Sequence, residues 1–407
     1  FVNVDKAFIQ FAGFTAGRAS SFFDFYAHDF EIISGTAGSD VASTNLLAYT
    51  AKLGDGLTAT LSMEDPTFRK TGVYSPANGA IAAAVGSSTF ATFGASNAPA
   101  PVFLGFNAAG VGTGIGFVDV VERNRMPDFV GALRYDAAWG SAQISAAVKD
   151  VNVGNFIPGS FLGTTGPGAG VPLTAANAAV RARVPTEYGW AVQGGLKLNM
   201  PYISPGDTLY LQGAYGEGAQ LYTGYSAYTG SYISNTTSIQ GSPFQQYFSD
   251  ATLNPVTGKM QLSTSWTVVG SYLHYWSPEW RSAFFASYGE LNFAPGARFA
   301  QGLATTIGGV TLAGSPGVPG TRSFLLSQVL RDSYQIYGGA SLIWSPVKDL
   351  DIGIEGMYTS VGVQQGRVVD LNKNFGVSAA QINAGIAVRT VSSYDGGQVR
   401  VRVQRDF

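Results

Sequence analysis

The chain contains no cysteine, which excludes disulfides, thiol chemistry and cysteine-ligated zinc and suits an oxidising, extracytoplasmic compartment. Charge is scarce as well. Asp, Glu, Lys and Arg make up 12% of 407 residues, about half the roughly 25% of an ordinary soluble protein, too few for a conventional water-facing surface. A net charge of −2 gives no general attraction for nucleic acid. The only histidines, His28 and His274, leave little for a metal. No run of about 18 apolar residues is present, so no segment reads as a membrane-spanning helix. Glycine is abundant, at 53 residues, and aromatics reach 13%, yet mean hydropathy is only mildly positive, so the apolar residues are spread thinly. The first residue is Phe and no signal-peptide pattern precedes it, from which a processed or incomplete chain is expected.

The signal that remains is alternation with period two in segments of about ten residues, the length a lipid-exposed strand requires. In Asn45 to Leu53, Leu47, Tyr49, Ala51 and Leu53 share one face while Ala48, Thr50 and Lys52 share the other. After Gly54-Asp55-Gly56, Leu57, Ala59, Leu61 and Met63 oppose Thr58, Thr60, Ser62 and Glu64, completing a hairpin. The same pattern is read at Lys6 to Ala12, Phe14 to Ala19, Asp128 to Ala138, Ser141 to Lys149, Glu187 to Asn199 and Asp207 to Tyr215. It continues at Trp266 to Trp276, Trp280 to Leu291, Ser333 to Trp344, Leu350 to Thr359 and Gly397 to Phe407. Asn383 to Thr390 also alternates, but counting it as spanning would put the final residue on the wrong side, so it is read as loop.

Connections alternate too: short turns near residues 55, 139, 203, 278 and 347, and long links over 65–127, 150–186, 216–265, 292–332 and 360–396. Structureless loops of that length argue against a compact soluble domain. Short turns on one side and long loops on the other are an outer-membrane barrel's arrangement, and closed barrels satisfy every backbone polar group in lipid. Aromatics such as Trp139, Trp190, Tyr202, Trp276, Trp280 and Trp344 sit at strand ends, where an interfacial girdle belongs. The expected fold is all-β: a transmembrane antiparallel β-barrel over residues 1–407, with 13 strands read in this chain. An even strand count with both ends on the periplasmic side implies that an odd number of N-terminal strands is missing.

The stretches Lys6-Ala-Phe-Ile-Gln-Phe-Ala-Gly-Phe-Thr-Ala-Gly-Arg18, Ser21-Phe-Phe-Asp-Phe-Tyr26, Leu133-Arg-Tyr-Asp-Ala-Ala-Trp-Gly-Ser-Ala-Gln143, Tyr188-Gly-Trp-Ala-Val-Gln193 and Arg402-Val-Gln-Arg-Asp-Phe407 together resemble the general porins of alphaproteobacterial outer membranes. The resemblance spans essentially the whole length and implies a 16-stranded homotrimer with no cofactor. It also implies outer-membrane lipid and lipopolysaccharide as surroundings, the barrel-assembly machinery as a partner in biogenesis, and terminal Phe407 as its signal. The implied function is passive passage of small polar solutes and ions through a pore narrowed by an inward-folded loop. Here that loop falls on residues 20–43, with Asp24, Asp29 and Glu31 as the acids expected at the constriction. Parity places Lys6, Lys52, Arg134, Lys149, Lys197, Arg400 and Arg402 on the facing wall. Arg18 joins them as a candidate because its short strand does not fix its face. Opposed acidic and basic rows would order water and disfavour apolar solutes.

Other readings are weaker. A substrate-specific channel or a surface-binding barrel using the long loops is the alternative function. Gly110-Val-Gly-Thr-Gly-Ile-Gly116 follows no strand-to-helix turn, so nucleotide binding is not expected. His28 and His274 could be drawn into a hydrolase triad, but nothing places them together. Asp349 and Asp351 offer too few oxygens for Ca²⁺.

Overall fold

The computed structural model describes residues 5–26, 28–32, 35–40, 43–74, 100–106, 112–154, 184–225, 235–236, 241–243, 245–307, 310–311 and 315–405. Its frame is one antiparallel sheet of 13 strands, each hydrogen-bonded to its neighbour in sequence along the sheet. They are β1 (Ala7–Phe11), β2 (Phe14–Ala19), β3 (Thr44–Gly54), β4 (Leu57–Glu64), β5 (Asp128–Ala137), β6 (Gly140–Val151) and β7 (Glu187–Asn199). Then follow β8 (Thr208–Glu217), β9 (Thr264–Ser277), β10 (Trp280–Asn292), β11 (Ser333–Val347), β12 (Leu350–Val363) and β13 (Ser393–Arg405). Two to eight residues close the hairpins at one end; all longer connections gather at the other. Among the described residues no ladder joins β1 to β13.

Turn chemistry explains the tight ends. Gly54, Asp55 and Gly56 all take positive φ, and a Cβ on Gly56 would come within 2.0 Å of the Asp136 carbonyl oxygen, so that position admits only glycine. The alternation read from the sequence fixes the faces. Leu61 (75% exposed), Ile144, Leu47, Phe129, Ile354 and Val401 stand out on one side. Thr60, Ser62, Gln143, Ser145, Gln193, Gln212 and Glu355 are buried on the other. A continuous exposed apolar face of this extent is unlike a soluble monomer's surface and calls for lipid.

The last strand starts at Ser393, earlier than the expected Gly397, because its pairing with β12 runs on to Ser393 opposite Gly362. Residues 383–390 form no spanning strand. Ala379–Asn383 is instead a short helix with a capping box in which Ser378 and Gln381 satisfy each other's backbone N–H. At the long-loop end the hairpin Ala100–Phe106 with Gly112–Val118 and the ladder of Val73–Tyr74, Ala251–Leu253 and Met260–Leu262 cover a second apolar cluster. Residues 112–116 of the glycine-rich motif lie in a strand of that hairpin.

Candidate functional site

Seven buried polar side chains of the sheet hold the backbone of described residues within 20–43: Glu64, Gln143, Ser145, Gln193, Gln212, Ser287 and Glu355. The Phe22 N–H donates to Glu64 Oε1 on β4 at 3.1 Å. The Phe23 carbonyl accepts from Ser145 Oγ on β6 at 2.8 Å and from Gln193 Nε2 on β7 at 2.9 Å, and Gln143 Nε2 reaches the same stretch. The Tyr26 N–H donates to Gln212 Oε1 on β8, Ala37 N–H to Ser287 Oγ on β10, and Ile32 N–H to Glu355 Oε2 on β12 at 2.7 Å. Loop backbone under cover must find partners, and glutamine, long and uncharged, supplies them from the wall. Phe25 fits because the wall is cut away beneath it: a Cβ on Gly195 would lie 2.2 Å from its ring.

These anchors also bend the sheet. From β4 to β12 there are eight interstrand gaps, about 38 Å if flat at ~4.8 Å per gap. Phe22 to Ile32 is ten residues, at most about 35 Å when fully extended, and this stretch contains a turn in which Glu31 N–H bonds to the His28 carbonyl. The sheet therefore curves around residues 20–43, which cross its polar, concave side.

The three loop acids have different surroundings. Asp24 accepts from Arg69 Nη2 at 2.7 Å and from Ser39, and Arg69, itself buried, lies 4.4 Å over the Tyr222 ring. Glu31 is buried and turned into the loop, accepting from Gly35 N–H, Thr36 and the Tyr26 hydroxyl. Burial first, and then the Glu31 charge, push the Tyr26 hydroxyl well above its ordinary range. Asp29 alone of the three is exposed. Beside them His28 sits between two acceptors, Asp40 Oδ2 and the Thr36 carbonyl, each 3.0 Å from a ring nitrogen. Only imidazolium can donate to both. Burial opposes its charge, but the Asp40 hydrogen bond and the field of Glu31 outweigh burial, and its pKa is raised.

Of the expected wall bases, Lys52, Arg134, Lys197, Arg400 and Arg402 alternate with the buried polar positions. Lys52 is exposed. Arg134 chelates Asp136 and lies 5.7 Å over Phe25, Lys197 lies 5.3 Å over Tyr210, Arg400 donates to Gln398 and Arg402 reaches the Ile32 carbonyl. Lys149 is on the same face but wholly buried at the long-loop end, donating to the Arg69 carbonyl at 2.7 Å and to Asp250 at 2.5 Å. Lys6 is exposed just before β1. Arg18 corrects the expectation. It alternates with exposed Phe14 and Ala16 and pairs across to Asn45, in step with Leu47 and Tyr49, so it belongs to the apolar side. There it donates to the Asp5 carbonyl and lies over Phe68. Phe407 lies outside the described residues.

Arg281, which donates to Ser345 and pairs with Asp351, is a further base on the polar face; the parity that selected Lys197 selects it too. Arg69 lies outside the 13 strands and had no such signal; parity set Gln143 and Gln193 on the polar face but gave no hint of their partners, which are far off in sequence. His274 pairs with Asp207 at 2.7 Å beside Tyr272 and Trp276, on the side opposite to the one that His28 occupies. The two histidines do not meet. Among the described residues no three His, Asp or Glu side chains are grouped to hold a metal.

An apolar outside, a polar inside and a loop crossing that inside define a membrane channel built of strands. Residues 1–386 match the family described as Porin subfamily, and the chain belongs to that family: it is a porin channel of the Gram-negative outer membrane. Among solved structures, the outer membrane channel DcaP of Acinetobacter baumannii is similar at 12% identity over 97% of this chain and 73% of that one, with a TM-score of 0.46. An anion-selective porin from Comamonas acidovorans is similar at 11% identity, 92% and 91% coverage and a TM-score of 0.28. OmpT of Vibrio cholerae is similar at 8% identity, 98% and 100% coverage and a TM-score of 0.25. No curated protein sequence matches the chain.

Proposed function

We propose that the chain is a passive, non-catalytic diffusion channel for small hydrophilic solutes and ions, with residues 20–43 as its constriction. The observation that carries this is the set of hydrogen bonds from β4, β6, β7, β8, β10 and β12 to one loop. At about 1 kcal/mol each they hold the segment across the concave face rather than out in solvent. Asp24, Asp29 and Glu31 belong to this constriction and Lys52, Arg134, Lys197, Arg400 and Arg402 to its wall, while Lys6 and Lys149 stand toward the long-loop side. The short turns face the periplasm, residues 65–127 form a long external loop, and Phe407 serves as the assembly signal. The working unit is a homotrimer of 16-stranded barrels, as in the alphaproteobacterial porins, surrounded by lipopolysaccharide. Planar-bilayer recording of the purified protein tests the reading. Ohmic steps in threes, not blocked by any single solute, are expected; absence of conductance would end it.

A further inference from the structure

Charge on the polar face changes character along the strands. At the long-loop end two bases are buried and closely matched: Arg69 with Asp24, Lys149 with Asp250. From the level of residues 20–43 to the short turns, the inward positions carry six bases: Lys52, Arg134, Lys197, Arg281, Arg400 and Arg402. Among the described residues four wall carboxylates share that stretch: Asp136, Asp351 and the buried Glu64 and Glu355. Each is engaged: Asp136 by Arg134, Asp351 by Arg281, Glu64 by the Phe22 N–H, and Glu355 by the Ile32 N–H, with Arg400 opposite it in the ladder. Lys52 and Lys197 have no carboxylate within ion-pair distance among the described residues.

The loop does not restore the balance. Asp24 is matched by Arg69 and Asp40 by the His28 imidazolium. Glu31, like Glu64 and Glu355, is buried, so among the described residues the carboxylates that meet water are the unmatched Asp29 of the loop and Asp136 and Asp351 of the wall, three against six bases. Asp55, Glu279 and Asp349 stand at the exposed rim, where physiological salt screens charges beyond about 8 Å. A one-signed wall in a confined water path raises the local concentration of the opposite ion.

We propose that the wall between residues 20–43 and the short turns is a filter preferring small anions, with Lys52 and Lys197 as its specificity-determining residues. This rests on the channel reading above. Exchanging both lysines for glutamate leaves four bases against five carboxylates that meet water, so the preference should reverse.

The test is the zero-current potential under a potassium chloride gradient across a planar bilayer. Wild type should show the sign of chloride permeation, and the double variant Lys52→Glu, Lys197→Glu should shift it past zero. Lys373→Glu, on an exposed loop at the far end, should leave it in place. Should the double variant open no channel, Lys52→Gln and Lys197→Gln should each move the potential part of the way. A wild-type potential of potassium sign, or lysine variants that match wild type, would overturn the filter while leaving the channel intact. Lack of any wild-type current would instead remove the channel itself.

Discussion

The two ends of the polar face handle charge in opposite ways. Toward the long loops ionic groups are dry and paired: both Lys149 and Asp250 side chains are fully buried, and Arg69 and Asp24 nearly so. Toward the short turns Lys52 is exposed and Lys197 and Arg402 are half-buried, and among the described residues neither lysine has an ion pair. Buried ions fix where loops sit, because separating them strands a charge in a poor solvent. Exposed ions do little for stability and much for the field that a passing solute meets. The first end is thus an anchor and the second a filter.

Not every pair at the anchoring end is well made, and the contrast is instructive. Asp24 receives Arg69 and Ser39 directly, whereas Lys70 Nζ stays 3.8 Å from Glu122 and neither Glu122 oxygen has a hydrogen bond among the described residues. Burial then dominates both: the Glu122 carboxyl is pushed up to about 7, the neighbouring Lys149 and Lys70 notwithstanding, and the Lys70 ammonium is pushed down. Each partner leans toward its neutral form.

The largest expected effect is at a matched pair. Arg69→Met leaves Asp24 buried without a counter-charge and should cost about 3–5 kcal/mol, read as a lowered thermal unfolding midpoint in detergent. Next comes the outer face. Leu61→Arg places a charge toward the middle of the lipid-facing band and should cost about 2–4 kcal/mol. Thr58→Arg, three residues away on the same strand but facing water, should stay within about 0.5 kcal/mol and alter conductance instead.

Smaller is Glu122→Gln. Because the folded carboxyl keeps its proton to about 7 and the unfolded one loses it near 4.5, its contribution is complete below 4.5 and lost as pH rises through about 7. The glutamine variant should match wild type in acid and exceed it by up to about 1–3 kcal/mol above neutrality, visible in midpoints measured across pH. The smallest is His28. Its raised pKa means that stabilisation of residues 20–43 is complete below 6.5 and lost as pH climbs through the folded value. About 1 kcal/mol of loop anchoring should go with it, seen as growing open-channel noise in alkaline buffer. His28→Gln should remove that pH dependence.

The strands were legible because alternation is local. Leu47, Tyr49 and Leu61 against Thr50, Lys52 and Thr60 need no knowledge of the rest of the chain, and parity alone set Lys197 and Arg402 on the face that carries the buried polar side chains. It lost its hold where strands end or are short. Arg18, near the end of a six-residue strand, took its face from pairing with Asn45. The surroundings of the loop acids were not legible. Asp24 finds Arg69 45 residues away, and Tyr26 finds Gln212 at a separation of 186. Such pairings follow from how the sheet curves, and no spacing in the sequence encodes them.

With no native cysteine to interfere, single cysteines can report which side of the sheet meets water. The direct measurement is open-channel current during exposure to a membrane-impermeant, charged thiol reagent, for Lys197→Cys and Ile354→Cys in lipid. The account predicts a stepwise fall in current for Lys197→Cys and none for Ile354→Cys; block through Ile354→Cys with Lys197→Cys unaffected would contradict it.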